Sequence, residues 1–248
     1  MLKVCDVEKS YKAGGGLSKD KRKVIKGVSF ECEIGKCLGI IGESGSGKST
    51  LGRLILGIER PDTGSVLLDG VSTIHVKARV GKMSAVFQNY ASSINPFFTV
   101  QQAIMESLRM IKERKEDQEK QVEILLNQVG LPASYKDKYS HELSGGEAQR
   151  VCIARAIATK PKYLLLDEAV SSLDISVQFQ ILNLLKELRS TYDMSYIFIT
   201  HDLQAATYLC DRLMIFKGGK IEEIVAMQNL KHVKSSYAQA LLKKTIIL

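Results

Sequence analysis

Gly42-Glu43-Ser44-Gly45-Ser46-Gly47-Lys48-Ser49-Thr50 lies between the apolar run Cys37-Leu38-Gly39-Ile40-Ile41 and a helix-compatible segment from Leu51 to Leu56. A strand, a glycine loop and a helix start therefore follow one another. In that context a glycine, four residues and Gly-Lys-Ser read as a phosphate site. The glycines let the backbone curl until successive N–H groups face one concavity, and the helix N-terminus adds its positive dipole end. Such a nest suits the β- and γ-phosphates of a nucleotide. Lys48 supplies a point charge for them, and the Ser49 hydroxyl is a hard oxygen ligand for Mg²⁺.

Outward from this loop, 248 residues with 45% hydrophobic content are enough to bury a large core. No run approaches the roughly eighteen consecutive apolar residues of a membrane span, and Met1-Leu2-Lys3-Val4 starts a strand and not a secretory signal, so a cytosolic chain is expected. Cys5, Cys32, Cys37, Cys152 and Cys210 are odd in number and never spaced Cys-x-x-Cys, which predicts reduced, mostly buried thiols and argues against a zinc site. The net charge of +8 fits nucleic acid, an anionic membrane face or a solvated basic surface; because it is spread along the chain, dense only at 19–23 and at 112–120, which is also acidic, the last reading is favoured.

Leu2 to Val7 alternates like an edge strand, and Val28 to Ile34 alternates again; Gly14-Gly15-Gly16 between them reads as a linker, and Tyr11 as a packed strand residue. Gly57 ends the helix after the loop. Pro61-Asp62-Thr63-Gly64 turns into a strand from Ser65 to Leu68, and Asp69-Gly70 closes a hairpin. A short strand follows over Val80 to Phe87, and then the pattern becomes helical, Val100 to Lys112 and Gln118 to Val129, with Val122, Leu125, Leu126 and Val129 on one face. Leu143-Ser144-Gly145-Gly146-Glu147 opens another helix with Val151, Ala154 and Ala158 on its stripe. Lys162 to Glu168 is a buried-strand run ending in two acids, which places Asp167 and Glu168 at the carboxyl edge of a sheet, where open α/β folds bind ligands. A helix over Ile175 to Thr191 with Val177, Ile181, Leu184 and Leu188 inward, a core strand Tyr196 to Thr200 followed by His201-Asp202, a hairpin across Gly218-Gly219 and a helical tail complete the chain.

With these motifs in hand the chain resembles, over essentially its whole length, the nucleotide-binding subunit of an ATP-binding cassette (ABC) transporter. Leu143 to Glu147 matches the family signature Leu-Ser-Gly-Gly-Gln/Glu with Gln149-Arg150 behind it, Asp167-Glu168 the Walker B motif, Ser172-Leu173-Asp174 the D-loop, Gln88 the Q-loop and His201 the switch histidine. Within the family it looks closest to the dipeptide, oligopeptide and nickel importers, through Gln88 to Pro96, Val170, Gln178 to Leu188 and the tail Ser236 to Leu242. Ala169 stands where the family usually has Pro, softening the turn after Walker B, and Glu147 where Gln is common. The cysteine-bearing tail extension of longer members is missing, so no C-terminal iron–sulfur site is expected.

The resemblance implies an α/β fold: a P-loop NTPase (RecA-like) core with a small antiparallel β subdomain and an inserted α-helical subdomain. It makes residues 1–248 one domain, with 1–95 and 144–248 as core and about 96–143 as helical lobe. It implies ATP and Mg²⁺ as cofactors: Gly42 to Thr50 around the phosphates, Tyr11 stacked on adenine, Ser49, Gln88 and Asp167 toward the metal, and Glu168 as the base for the attacking water. His201 and Lys48 act on the γ-phosphate, and Ser144, Gly145, Gly146 and Glu147 close over the nucleotide of a second, head-to-tail ATPase subunit. A related chain is the preferred second subunit, with a copy of this chain as the alternative. Two membrane permeases and, indirectly, an extracytoplasmic solute-binding protein are the other implied partners. No nucleic acid is expected, and the chain is placed peripherally at the cytoplasmic membrane face. Ile94, Phe97 and Phe98 read equally as core or as permease contact. The function implied is ATP-driven uptake of a peptide, nickel or a metal chelate. The alternatives are a soluble ABC ATPase acting on DNA or ribosomes, to which the basic charge would correspond, and an ATP-binding module without turnover, which the intact Lys48, Asp167, Glu168 and His201 oppose.

Overall fold

The computed structural model describes residues 1–12, 20–89, 93–111 and 115–246. The Gly14–Gly16 linker, Tyr90 to Ser92 of the Q-loop continuation and the Lys112 helix end lie outside the described residues. The chain forms two compact units, residues 1–79 with 195–248, and residues 80–194.

In the first unit β1 (Leu2–Lys12), β2 (Lys21–Cys32), β4 (Thr63–Leu68) and β5 (Val71–Ser72) form an antiparallel sheet in the order β2-β1-β4-β5. The alternation at Leu2 to Val7 predicts an edge strand, but β1 is an inner one. Alternation reports that one face of a strand is solvated and says nothing about its lateral neighbours. Both strands also run further than the apolar pattern, β1 to Lys12 and β2 from Lys21, because cross-strand pairing carries the polar ends: Tyr11 sits opposite Arg22. The Asp69-Gly70 turn has φ of 51° and 81°, the doubly left-handed geometry of a tight hairpin.

The same unit holds β3 (Cys37–Ile41), β8 (Ser195–Thr200), β9 (Arg212–Lys217) and β10 (Lys220–Ala226), side by side in the order β10-β9-β3-β8. β3 runs parallel to β8 and β9, and every residue of β3 and β8 is buried, hence their unbroken apolar sequences. Helices α1 (Lys48–Ile55), α2 (Val76–Arg79), α7 (Leu203–Leu209) and α8 (Ser236–Ile246) accompany these strands.

The second unit pairs β6 (Met83–Phe87) with β7 (Tyr163–Asp167) in parallel and adds α3 (Val100–Met110), α4 (Lys115–Gln128), α5 (Gly145–Ile157) and α6 (Ile175–Tyr192). Thr99 caps α3 in a reciprocal box with Gln102. The stripe Val122, Leu125, Leu126 and Val129 is buried, as are Ala103 and Ile104 on α3 and Val151 and Ala154 on α5, and α3 packs on both α4 and α5. In α6, Ile181, Leu184 and Leu188 are buried as the pattern predicts, but Val177 is only half-buried, because it sits in the first turn. Ile94 is buried, in keeping with its core reading, while Phe97 is 84% exposed and Phe98 half-buried. The five cysteines are free thiols, buried except for Cys5.

Phe198, fully buried in the middle of β8, tests this core. Phe198→Ala is expected to cost about 3–5 kcal/mol, read as a lowered midpoint of urea unfolding.

Candidate functional site

In the first unit the loop from Gly42 to Thr50 is held from several sides. The Gly219 N–H donates to the Ser46 carbonyl at 3.0 Å, the Ser46 N–H to the Glu43 carbonyl at 3.2 Å, and the Glu43 N–H to the Tyr237 hydroxyl at 3.3 Å. A β-carbon on Gly42 would lie 2.0 Å from the Phe216 carbonyl oxygen, so only glycine lets the loop leave β3 here. Gly47, at φ 106°, is the N-cap of α1, and no side chain caps that helix. Lys48 is 5% exposed and turns back over the loop, its Nζ donating to the carbonyls of Gly42 at 2.7 Å and Glu43 at 2.9 Å. The Ser46 hydroxyl is buried without a hydrogen-bond partner.

A helix start lacking a side-chain cap, a buried ammonium and an orphaned hydroxyl fit a phosphate chain, which offers acceptors to all of them. His201 follows β8 directly and is exposed, and Asp202 caps α7 by accepting from the Gln204 and Ala205 N–H groups. Tyr11 is half-buried on β1.

In the second unit the β6–β7 register aligns Phe87 with Asp167. Gln88 and Glu168 therefore leave the same carboxyl edge side by side. Asp167 is buried, and Glu168 adopts a left-handed φ of 50°, uncommon for a residue with a β-carbon. The Ser171 N–H and hydroxyl, at 3.2 and 2.9 Å, both donate to the Glu168 carbonyl and close the turn through the buried Ala169 and Val170.

Ser144 caps α5, accepting from the Glu147 N–H at 3.4 Å, while its own N–H donates to Glu147 Oε2 at 2.8 Å. Tyr135 donates its hydroxyl to Glu147 Oε1 at 2.5 Å, so both oxygens of Glu147 are engaged within this unit. The Tyr135 hydrogen bond, then those from Ser144, hold the Glu147 carboxyl down to about 2. A β-carbon on Gly146 would come 2.7 Å from Val177 Cγ1, which fixes a glycine where α5 meets α6. Arg150 ties α5 to its neighbours, donating to the Val129 carbonyl at 2.6 Å and to Gln180 Oε1 at 3.3 Å. The Gln149 amide is buried with neither end hydrogen-bonded.

Each unit thus holds part of the sequence-predicted set: Tyr11, Gly42 to Thr50 and His201 in the first; Gln88, Asp167 and Glu168, which share one strand edge, and separately Ser144 to Glu147 in the second. Sequence reasoning misses Tyr135, Arg53 and Glu59. The first holds the signature acid, and the other two link Tyr11 to the loop; only the Tyr11–Glu59 contact is distant in sequence, while Arg53 bonds the nearby Thr50 and Glu59 across a turn that no motif marks.

A strand, glycine loop and helix bearing a buried lysine, with a second strand ending in paired acids, define a P-loop nucleoside triphosphatase. Residues 25–171 match the family model described as ABC transporter. The chain is 53% identical over 247 residues, 99% of each chain, to the metal-staphylopine import system ATP-binding protein CntF of Staphylococcus aureus. It is 37% identical to the oligopeptide transport ATP-binding protein AppF of Bacillus subtilis, over 98% of this chain and 77% of that one. Among solved structures, it superposes on the dimeric, post-hydrolysis ATP-binding cassette MJ0796 bound to ADP and Pi with a TM-score of 0.81 at 30% identity, covering 92% of this chain and 99% of that one. The chain belongs to the ABC transporter family and is an ATP-hydrolysing cassette of it.

Because the Glu147 carboxyl is depressed in the folded chain, its contribution to stability is complete above its unfolded value of about 4.3 and is lost as pH falls toward about 2. The melting-temperature gap between the native chain and Glu147→Gln is therefore expected to close as pH is lowered through that window.

Proposed function

We propose that this chain is the ATPase subunit of a membrane importer and that it works on Mg²⁺-bound ATP. The observation that carries the hydrolytic part is the shared edge of Gln88, Asp167 and Glu168, aligned by the Phe87–Asp167 register. Lys48 and the loop N–H groups bind the β- and γ-phosphates, and Thr50 and Ser46 offer hydroxyls. Ser49 in the first unit and Asp167 in the second each carry a hard oxygen of the kind that would serve Mg²⁺, a cation that takes one or two protein ligands plus the phosphates. Glu168 orients and deprotonates the attacking water, Gln88 reaches toward metal and water, and His201 hydrogen-bonds the γ-phosphate. Tyr11 stacks on adenine.

Ser144, Gly145 and Gly146 are a second helix start with anion-binding character, and one nucleotide needs only one phosphate loop. They close over the ATP of a partner cassette, with Glu147 acting as the brace of that turn. A related second ATPase is the preferred partner, two permeases receive the motion, and the chain works at the cytoplasmic membrane face. Among the described residues no helix is long and apolar enough to cross a membrane. The full-length likeness to a metal-staphylopine import protein favours a metal chelate as cargo over a peptide. The relatives named above are transport proteins, which weighs against an ATPase acting on DNA or ribosomes.

Glu168→Gln is the direct test. It is expected to keep ATP binding and to lower hydrolysis roughly 10²–10⁴-fold, and to accumulate ATP-dependent pairs of cassettes in gel filtration. Undiminished turnover removes Glu168 from the mechanism.

A further inference from the structure

Glu59 lies just past the end of α1, where the chain turns back through Gly57 at φ 62° and the Glu59 N–H donates to the Arg53 carbonyl at 3.3 Å. One of its carboxylate oxygens accepts from the Tyr11 hydroxyl. The other accepts from Arg53 Nε at 2.5 Å, and Arg53 Nη2 in turn donates to Thr50 Oγ1 at 3.2 Å. Thr50 is 8% exposed and belongs to the phosphate loop. An oxygen that accepts from a guanidinium keeps its own proton free to donate elsewhere. Lys9 lies over one face of the Tyr11 ring, 5.7 Å from its centroid, and its Nζ donates to the Arg60 carbonyl at 2.6 Å. A base stacking on Tyr11 therefore uses the opposite face.

We infer that Glu59 is a positioning residue for the nucleotide, fixing the ring of Tyr11 at the adenine end and, through Arg53, the hydroxyl of Thr50 at the phosphate end. This rests on the reading of Tyr11 and Thr50 as nucleotide contacts. Glu59 itself touches no nucleotide; it makes the two ends of the site one rigid body and sets their separation. Burial opposes its charge, but the Tyr11 and Arg53 hydrogen bonds outweigh burial and hold the carboxyl below its ordinary value, so the network is ionised at neutral pH.

Calorimetric affinities for ATP and for inorganic tripolyphosphate separate the two ends. Tyr11→Phe is expected to weaken ATP roughly three- to tenfold and to leave tripolyphosphate unchanged. Glu59→Gln, nearly isosteric, is expected to weaken both, and the double variant to be no worse than Glu59→Gln alone. Arg53→Lys, which shortens the link to Thr50, should lower tripolyphosphate affinity. Losses that add fully in the double variant, or native affinities in Glu59→Gln, overturn the inference. If Tyr11→Ala loses ATP affinity while Glu59→Gln does not, the inference falls and the adenine reading stands; if Tyr11→Ala binds ATP normally, the adenine reading falls and takes the inference with it.

Discussion

A buried ammonium has to be compensated, and the phosphate loop is built around that requirement. Lys48 is turned inward onto two carbonyls of its own loop. It sits at the start of a helix that no side chain caps, which concentrates positive potential in one small concavity. The first unit is arranged to keep that concavity in shape. β3 delivers the chain to it, Phe216 leaves room only for a glycine at its mouth, and Gly219 and Tyr237 pin its far side. A loop so constrained is preorganised for an anion.

The helix start at α5 makes an instructive contrast. Here Ser144 and Glu147 satisfy one another, and Tyr135 takes the remaining carboxylate oxygen. The turn is braced by its own side chains and carries a negative charge, whereas α1 carries none in its first turn. That difference fits the different tasks proposed for the two helix starts, α1 for a polyphosphate and α5 for a braced surface facing one held by a partner cassette. The closeness of Gly146 to Val177 keeps this surface in register with α6.

Much of this was legible in the chain because backbone demands leave residue-type signatures. Gly42 and Gly47 appear where a β-carbon would collide or φ is positive, and the unbroken run before Asp167 announces a strand buried on both faces. Lateral order in a sheet leaves no such trace, which is why β1 reads as an edge strand and proves to be an inner one. The braces were illegible for a related reason. Tyr135, Arg53 and Glu59 are ordinary surface types in sequence and gain their roles only through the turns and the strand placement that bring Tyr135 to Glu147, Arg53 to Glu59 and Glu59 to Tyr11.

The central claim is that Lys48 and its loop are a receptor for the phosphate chain, so thermal stabilisation by ligands tests it most directly. ATP and pyrophosphate should both raise the melting temperature, by about 2.7 kcal/mol of linkage at a hundredfold excess over Kd, while adenosine alone should not, and Lys48→Ala should abolish the shift. Stabilisation by adenosine equal to that by ATP, or a full ATP shift in Lys48→Ala, would contradict the account.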